Sequence, residues 1–372
     1  MTPRIRLGMV GGGQGAFIGA VHRIAARIDD QFDLVAGSLS SDPVLGAASA
    51  TEIGLARHYG SYQEMATEEA ARADDGIEAV AIVTPNHLHV PVAKAFLEAG
   101  IHVICDKPLA ARLDEALDLE RVVAASGKQF ILTHNYTGYP LIRQARDMVA
   151  RGDLGELRLV QVEYIQDWLS EAPEPDQKQA AWRLDPAQSG SGALGDIGTH
   201  AFNLACFVTG QSVGAVSAEV SSIVEGRQVD DNVHAHLRFE GGAKGALWAS
   251  QVAVGHENGL SLRVYGSKGG LVWEQENPNR MLYSQLGEST RILTRGGAGV
   301  GDAAARVTRV PPGHPEGYLE GFATIYTEAA AAIRGGSDAG HHTNGVAEGV
   351  AGMRFIQACL TSSADGGAWT AL

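Results

Sequence analysis

The chain has 372 residues, more than the roughly 250–300 over which a single hydrophobic core keeps growing, so two domains are expected. Hydrophobic residues make up 45% and charged residues 19%, which excludes a disordered chain. With 29 Lys and Arg against 43 Asp and Glu, a net charge of −14, the surface lacks the cations that a phosphate backbone demands, which excludes nucleic acid as a partner. No run approaches the ~18 apolar residues of a membrane span. Cys105, Cys206 and Cys359 fit neither a disulfide framework nor a zinc site. With no apolar signal core after Met1, the expected location is the reducing cytoplasm.

Apolar runs at 6–10, 33–38, 79–84, 102–105 and 129–133 read as buried strands, with helical periodicity between them at 17–28, 91–99 and 113–126. Strands alternating with helices predict right-handed crossovers and a parallel, doubly wound sheet. The rhythm changes near Tyr136. After a helix at 141–151, period-two alternation at 157–164, 216–223, 233–239, 245–252 and 260–265 predicts an antiparallel sheet with one face covered. The segment 295–301 reads as a mobile glycine-rich loop, and helices at 316–334 and 345–362 close the chain. The expectation is an α/β protein with a nucleotide-binding domain over 1–136 and a second domain over 137–372.

The first strand runs into Gly11-Gly12-Gly13-Gln14-Gly15-Ala16, where Gly11, Gly13 and Ala16 satisfy the G-x-G-x-x-G/A spacing between a strand and a helix. Glycine lets the backbone approach a pyrophosphate, whose charge is held by N–H groups at the helix N-terminus. Gly11, Gly13, Gln14 and Ala16 are therefore read as dinucleotide-binding. At the tip of the second strand, Ser38, Ser41 and Asp42 should meet the adenosine ribose. Neither Lys nor Arg occurs between Ser38 and Arg57, so a 2′-phosphate lacks a local countercharge and NAD is expected over NADP.

Three constellations lie at or near strand ends, where open α/β sheets bind ligands. They are Thr84-Pro85-Asn86-His87-Leu88-His89, Cys105-Asp106-Lys107-Pro108 and Gly195-Asp196-Ile197-Gly198-Thr199-His200. Thr84, Asn86, His89, Asp106, Lys107, Pro108 and Asn135 are assigned to the cofactor. A lysine followed by proline at the end of a buried strand is unusual placement for a solvated charge. Asp196 and His200 stand four apart, which on a helix puts them on one face. A carboxylate that orients an imidazole, a lysine and a nicotinamide site together form the set that alcohol oxidation requires. His234 and His236 share a strand face without a third ligand of suitable type, so no metal is expected.

Together these motifs resemble the Gfo/Idh/MocA family of sugar and polyol dehydrogenases over essentially the whole chain. The residues that carry the resemblance are the glycine turn, Thr84 to His89, Asp106-Lys107-Pro108 and Gly192-Ala193-Leu194-Gly195-Asp196-Ile197-Gly198-Thr199-His200. The resemblance implies a Rossmann domain followed by an α/β domain with a large open antiparallel sheet, whose back packs subunits into a dimer or tetramer. It also implies that Lys107 positions the reacting hydroxyl, His200 is the acid/base, and Asp196 anchors substrate or orients His200. Two departures stand out: Asp106 replaces the family's glutamate, and the family's histidine after the glycine motif corresponds to His22 across a stretched turn.

Within the family, the chain is similar to a branch of inositol and aldopyranose dehydrogenases that includes enzymes of scyllo-inositol and L-glucose. This rests on Ala181-Trp182-Arg183-Leu184-Asp185-Pro186 and on Pro311-Pro312-Gly313-His314-Pro315-Glu316-Gly317-Tyr318. Arg183 and His314 would address ring hydroxyls, Trp168 would offer a flat apolar wall, and His134 and Tyr136 would line the junction with nicotinamide. The expected activity is NAD-dependent oxidation of a cyclic polyol or sugar. A glycoside 3-dehydrogenase acting on a disaccharide or anhydrosugar, an NAD-dependent glycosidase and a non-catalytic dinucleotide sensor stay open as alternatives.

Overall fold

Five apolar runs and one short polar one pair as a parallel sheet in the computed structural model, which describes residues 3–172, 178–336 and 342–372. They are β1 (Ile5–Gly11), β2 (Phe32–Ser38), β3 (Arg57–His58), β4 (Ala79–Val83), β5 (His102–Cys105) and β6 (Phe130–Leu132). Their order, β3-β2-β1-β4-β5-β6, with every pairing parallel, is that of a doubly wound sheet whose direction of winding reverses between β1 and β4. All five residues of β4 are buried, as strands covered on both faces must be. β3 carries no apolar run and was not foreseen. Nor was the helix Pro43–Ile53, a small-residue segment that buries little beyond Gly46, Ser49 and Ala50.

A second sheet, nine-stranded among the described residues, adds β7 (Leu157–Ile165), β8 (Val213–Ser221), β9 (Asn232–Phe239), β10 (Lys244–Ser250), β11 (Gly259–Gly266), β12 (Gly269–Glu274), β13 (Arg280–Gln285), β14 (Arg291–Thr294) and β15 (Thr370–Ala371). It is ordered β14-β13-β12-β11-β7-β10-β9-β8-β15. The sheet is antiparallel as expected except at its centre, where β7 and β10 run parallel. The chain reaches β10 from β7 through the helix Thr199–Thr209 and the β8–β9 pair, a connection long enough to bring it back in the same direction. Alternation holds along β9, where Val233, Ala235, Leu237 and Phe239 are buried and His234, His236 and Arg238 are exposed.

The expected mobile loop at 295–301 is anchored at its first residue. Arg295 is buried, and its guanidinium donates to Glu316 Oε1 (2.9 Å), Asn279 Oδ1 (2.9 Å) and the carbonyls of Val310, Pro311 and His314. A buried cation with this many acceptors fixes the loop it begins.

The chain divides into two compact units, Met1–His134 with Phe322–Met353, and Asn135–Gly321 with Arg354–Leu372. The first unit therefore includes a late segment that a single boundary at 136 leaves out. Tyr326 Oη lies 2.9 Å from His22 Nδ1, Leu132 N donates to Asn344 O, and a Cβ on Gly349 would sit 2.8 Å from Leu109 Cδ2. No helix among the described residues is long and apolar enough to cross a membrane, and no group of three or more His, Cys, Asp or Glu among them could hold a metal ion.

Candidate active site

In the first unit, backbone geometry builds the turn after β1. Gly11, Gly12 and Gly15 have φ of 80°, 74° and 79°, the left-handed region that glycine tolerates. A Cβ on Gly11 would lie 2.8 Å from Val83 O, and one on Gly13 would lie 2.8 Å from Leu39 O. Gly19 packs its Cα onto the turn: a Cβ there would sit 2.4 Å from Gly12 Cα. Three N–H groups are already used within the turn, Gly13 N to Leu39 O (3.2 Å), Gln14 N to Ser49 Oγ (3.0 Å) and Ala16 N to Gly13 O (3.1 Å). Ala16 gives the helix Phe17–Ile28 no side-chain cap, so donors for an anion come from that helix's first turn.

A cavity of about 380 Å³ adjoins the turn, with Arg23 and Glu52 among its walls. A strand–turn–helix in which added Cβ atoms would strike backbone, opening on an uncapped helix, fits a dinucleotide. At the tip of β2, Ser38 is buried and Ser41 is exposed. Asp42 Oδ1 accepts from Val44 N (2.8 Å) and Leu45 N (3.1 Å), which caps the helix Pro43–Ile53.

The tips of β4, β5 and β6 lie side by side. Asp106 Oδ1 accepts from Lys107 N (2.9 Å) and Thr133 Oγ1 (3.0 Å), so the shorter acid ties the tip of β5 to β6. Asn86 is buried, Thr84 follows β4 directly, and Lys107 is the second residue past β5. His89, expected to touch cofactor, is 1% exposed, and its Nδ1 and Nε2 lie 2.7 Å and 2.9 Å from the carbonyl oxygens of Pro108 and Thr84. Burial lowers the pKa of His89, and the single N–H of the neutral ring donates to one of these two carbonyls. His134 is buried, and desolvation, reinforced by the Lys107 charge, pushes its pKa down to about 3. His22 is likewise a core residue, driven to about 4 chiefly by burial.

The second unit builds from side chains. Leu194–Gly198 is a π-turn that leads into the helix Thr199–Thr209. Asp196 lies in the π-turn and His200 in the α-helix that follows it, where the sequence argument assumed one uniform α-helix. Asp196 Oδ2 accepts from Arg183 Nε (3.2 Å) and Gln251 Nε2 (3.0 Å). His200 is 7% exposed, with the ring of Tyr136 edge-on at 4.8 Å and that of Tyr164 at 6.1 Å. The Tyr136 and Tyr164 hydroxyls lie 2.6 Å apart, and Tyr164 donates to Asn258 Oδ1 (2.7 Å). Burial raises the pKa of both phenols, so they serve as hydrogen-bonding hydroxyls.

Gln166 Nε2 also donates to Asn258 Oδ1 (2.8 Å), and Gln166 Oε1 accepts from Trp168 Nε1 (3.0 Å). Trp168 is 41% exposed, and the Arg183 guanidinium lies 4.3 Å from the Trp182 ring and 6.0 Å from the Trp168 ring. The second unit thus gathers Tyr136, Arg183, Trp168, Asp196 and His200. Asn135 is buried in a short 3₁₀ turn, and the His314 side chain is exposed on the loop whose backbone Arg295 holds.

Tyr164, Gln166, Gln251 and Asn258 were not foreseen. Gln166 and Gln251 each follow a strand directly, and because β7 and β10 are parallel neighbours, a pairing without a local signature in the sequence, both amides emerge at one end of the sheet.

A glycine turn between a strand and a helix of a doubly wound parallel sheet defines a dinucleotide-binding domain. Residues 5–134 match the oxidoreductase family with an NAD-binding Rossmann fold, and residues 142–272 match the GFO/IDH/MocA C-terminal domain. An oxidoreductase from Sinorhizobium meliloti of known structure is 54% identical over 99% of each chain, with a TM-score of 0.92. An inositol dehydrogenase homolog from Azotobacter vinelandii, solved with NAD+, is 36% identical over 100% of this chain and 98% of its own, with a TM-score of 0.95. That homolog has also been solved with NADH and myo-inositol. Levoglucosan dehydrogenase from Pseudarthrobacter phenanthrenivorans is 29% identical over 74% of this chain and 75% of its own. The chain belongs to the Gfo/Idh/MocA family of oxidoreductases.

Proposed function

We propose that the protein is an NAD-dependent dehydrogenase of a cyclic polyol or sugar, an inositol such as scyllo-inositol or an aldopyranose such as L-glucose. The observation that carries this reading is Arg183, fixed by Asp196 while it lies over the indole of Trp182 and near that of Trp168. A directed fork of donors beside flat apolar surface suits a ring bearing many hydroxyls. Bound NAD supplies the hydride acceptor. Gly11, Gly13, Gln14 and Ala16 would hold it, with Ser38, Ser41 and Asp42 toward the ribose and Thr84, Asn86, Asp106, Pro108 and Asn135 toward the nicotinamide end.

Lys107 donates to the reacting oxygen and favours its negative charge, and His200 takes the hydroxyl proton. Asp196, Arg183, Trp168, Tyr136, His134 and His314 orient the ring. The test is NADH formation against inositol isomers, D- and L-aldohexoses, glycosides and anhydrosugars, run in parallel with NADP. Turnover on free inositols or aldoses supports the reading, and silence on both removes it.

The kinship with levoglucosan dehydrogenase favours a second reading, a dehydrogenase of an anhydrosugar or glycoside, which turnover confined to those members of the panel would support. We also propose a homodimer or homotetramer assembled on the outer face of the nine-stranded sheet, which exposes Leu159, Leu282 and Ile292. Sedimentation of 39.0 kDa particles alone would count against it.

A further inference from the structure

Asp230 lies just before β9 and has no part in the chemistry above, yet four consecutive residues hang from it. Its Oδ1 accepts from Ser191 Oγ (2.7 Å) and Gly192 N (2.7 Å), and its Oδ2 accepts from Leu194 N (2.6 Å). Its main-chain oxygen accepts from Ala193 N (3.0 Å). The approach is so close that a Cβ on Gly192 would stand 1.8 Å from Asp230 O. The next residues are the π-turn itself: Asp196 N returns to Gly192 O (2.9 Å), and His200 follows one turn on.

The neighbouring residue supplies a second arm. Asp231 O accepts from Gln251 N (2.9 Å), and Gln251 Nε2 donates to Asp196 Oδ2 (3.0 Å). Asp231 is itself fixed, because its carboxylate accepts from Ile223 N and Val224 N and pairs with Arg227 (3.2 Å). The start of β9 therefore reaches Asp196 by two routes, one through main chain and one through an amide side chain.

We propose that Asp230 is a positioning residue, which folds Ser191–Leu194 into the seat from which the π-turn presents Asp196 and His200. The proposal rests on the reading of those two residues given above. A carboxylate is required because three donors converge on two acceptor-only oxygens. An asparagine of the same shape turns one of those oxygens into a donor that faces another N–H or hydroxyl.

The experiment compares the full-length protein with Asp230→Asn and Ser191→Ala. It reads kcat and KM separately, NADH affinity by fluorescence, thermal midpoint, and the His200 ring resonance in a 13C-histidine NMR spectrum assigned with His200→Gln. For D230N we expect kcat to fall about 10–100-fold with KM and NADH affinity within about threefold, the His200 resonance being displaced. For S191A, which removes one bond of the four, we expect a loss of a few-fold in kcat in the same direction. A folded D230N with unchanged kcat and an unmoved His200 resonance would overturn the proposal. If D230N fails to fold, S191A decides, and an unmoved resonance there overturns it equally. Should the wild-type enzyme oxidise no member of the panel, the functional reading falls, while a displaced His200 resonance in D230N still upholds the positioning role.

Discussion

The two units make their contributions from different materials. In the first, main chain does most of the holding: Gly12 packs Cα to Cα with Gly19, His89 spans two carbonyls, and Asp106 ties its own strand tip to Thr133. In the second, side chains from distant segments converge, Asp196 with Arg183 and Gln251, Tyr136 with Tyr164, and Asp230 with Ser191. A site made of backbone is sensitive to added volume and indifferent to many functional groups. One made of side chains is sensitive to the loss of a single polar atom and tolerant of volume at its rim.

The strongest test of that contrast is to remove the reacting group from each side. Lys107→Ala and His200→Ala should each lower turnover by about 10²–10⁴-fold with NADH binding nearly intact, as for groups that act on the reacting hydroxyl. Near-wild-type turnover in either variant strips that residue of its role. The next test concerns stability. His22 is buried and uncharged, with a folded pKa of about 4 against 6.5 in the unfolded chain. The unfolded state therefore binds the extra proton, so this contribution is complete above pH 6.5 and is lost as pH falls toward 4. The loss is on the order of 3 kcal/mol. Urea midpoints across that range should fall less steeply in His22→Gln; an equal slope would place the acid sensitivity elsewhere.

Volume against function separates the units more finely. Gly13→Ala puts a Cβ 2.7 Å from Ser49 Oγ and 2.8 Å from Leu39 O, so NADH binding should weaken about tenfold. Gln251→Ala should leave NADH binding unchanged and lower kcat by a comparable factor. The reverse pattern would break the distinction. The smallest effect is expected at Asp42→Ala, with about 1 kcal/mol lost from the helix cap and a few-fold weaker preference for NAD over NADP. An unchanged preference would mean that the serines or the backbone set cofactor choice.

What could be read in advance follows the same division. Strands buried on both faces announce themselves as continuous apolar runs, and the helices at 17–28 and 113–126 match the structure residue for residue. The glycine turn and the Lys107 strand tip are local, because the neighbours that give them meaning are adjacent in the chain. The parallel pairing of β7 with β10, the π-turn under Asp196, and the meeting of Gln251 with Asp196 are tertiary events without a local signature. His89 illustrates the limit well: its position beside a strand end was legible, but whether its ring faced cofactor or carbonyl depended on where Pro108 O fell.

The return of Phe322–Met353 to the first unit has a consequence for biosynthesis. Roughly 220 residues separate His134 from the last residue of that segment, a delay of about 10–45 s at ordinary rates of translation. For most of that interval the nascent nucleotide-binding half lacks Tyr326 against His22 and Asn344 against Leu132. The domain that emerges first from the ribosome is therefore the one whose packing is completed late. A gene fragment that stops at residue 134 would encode a Rossmann sheet missing the layer that closes it.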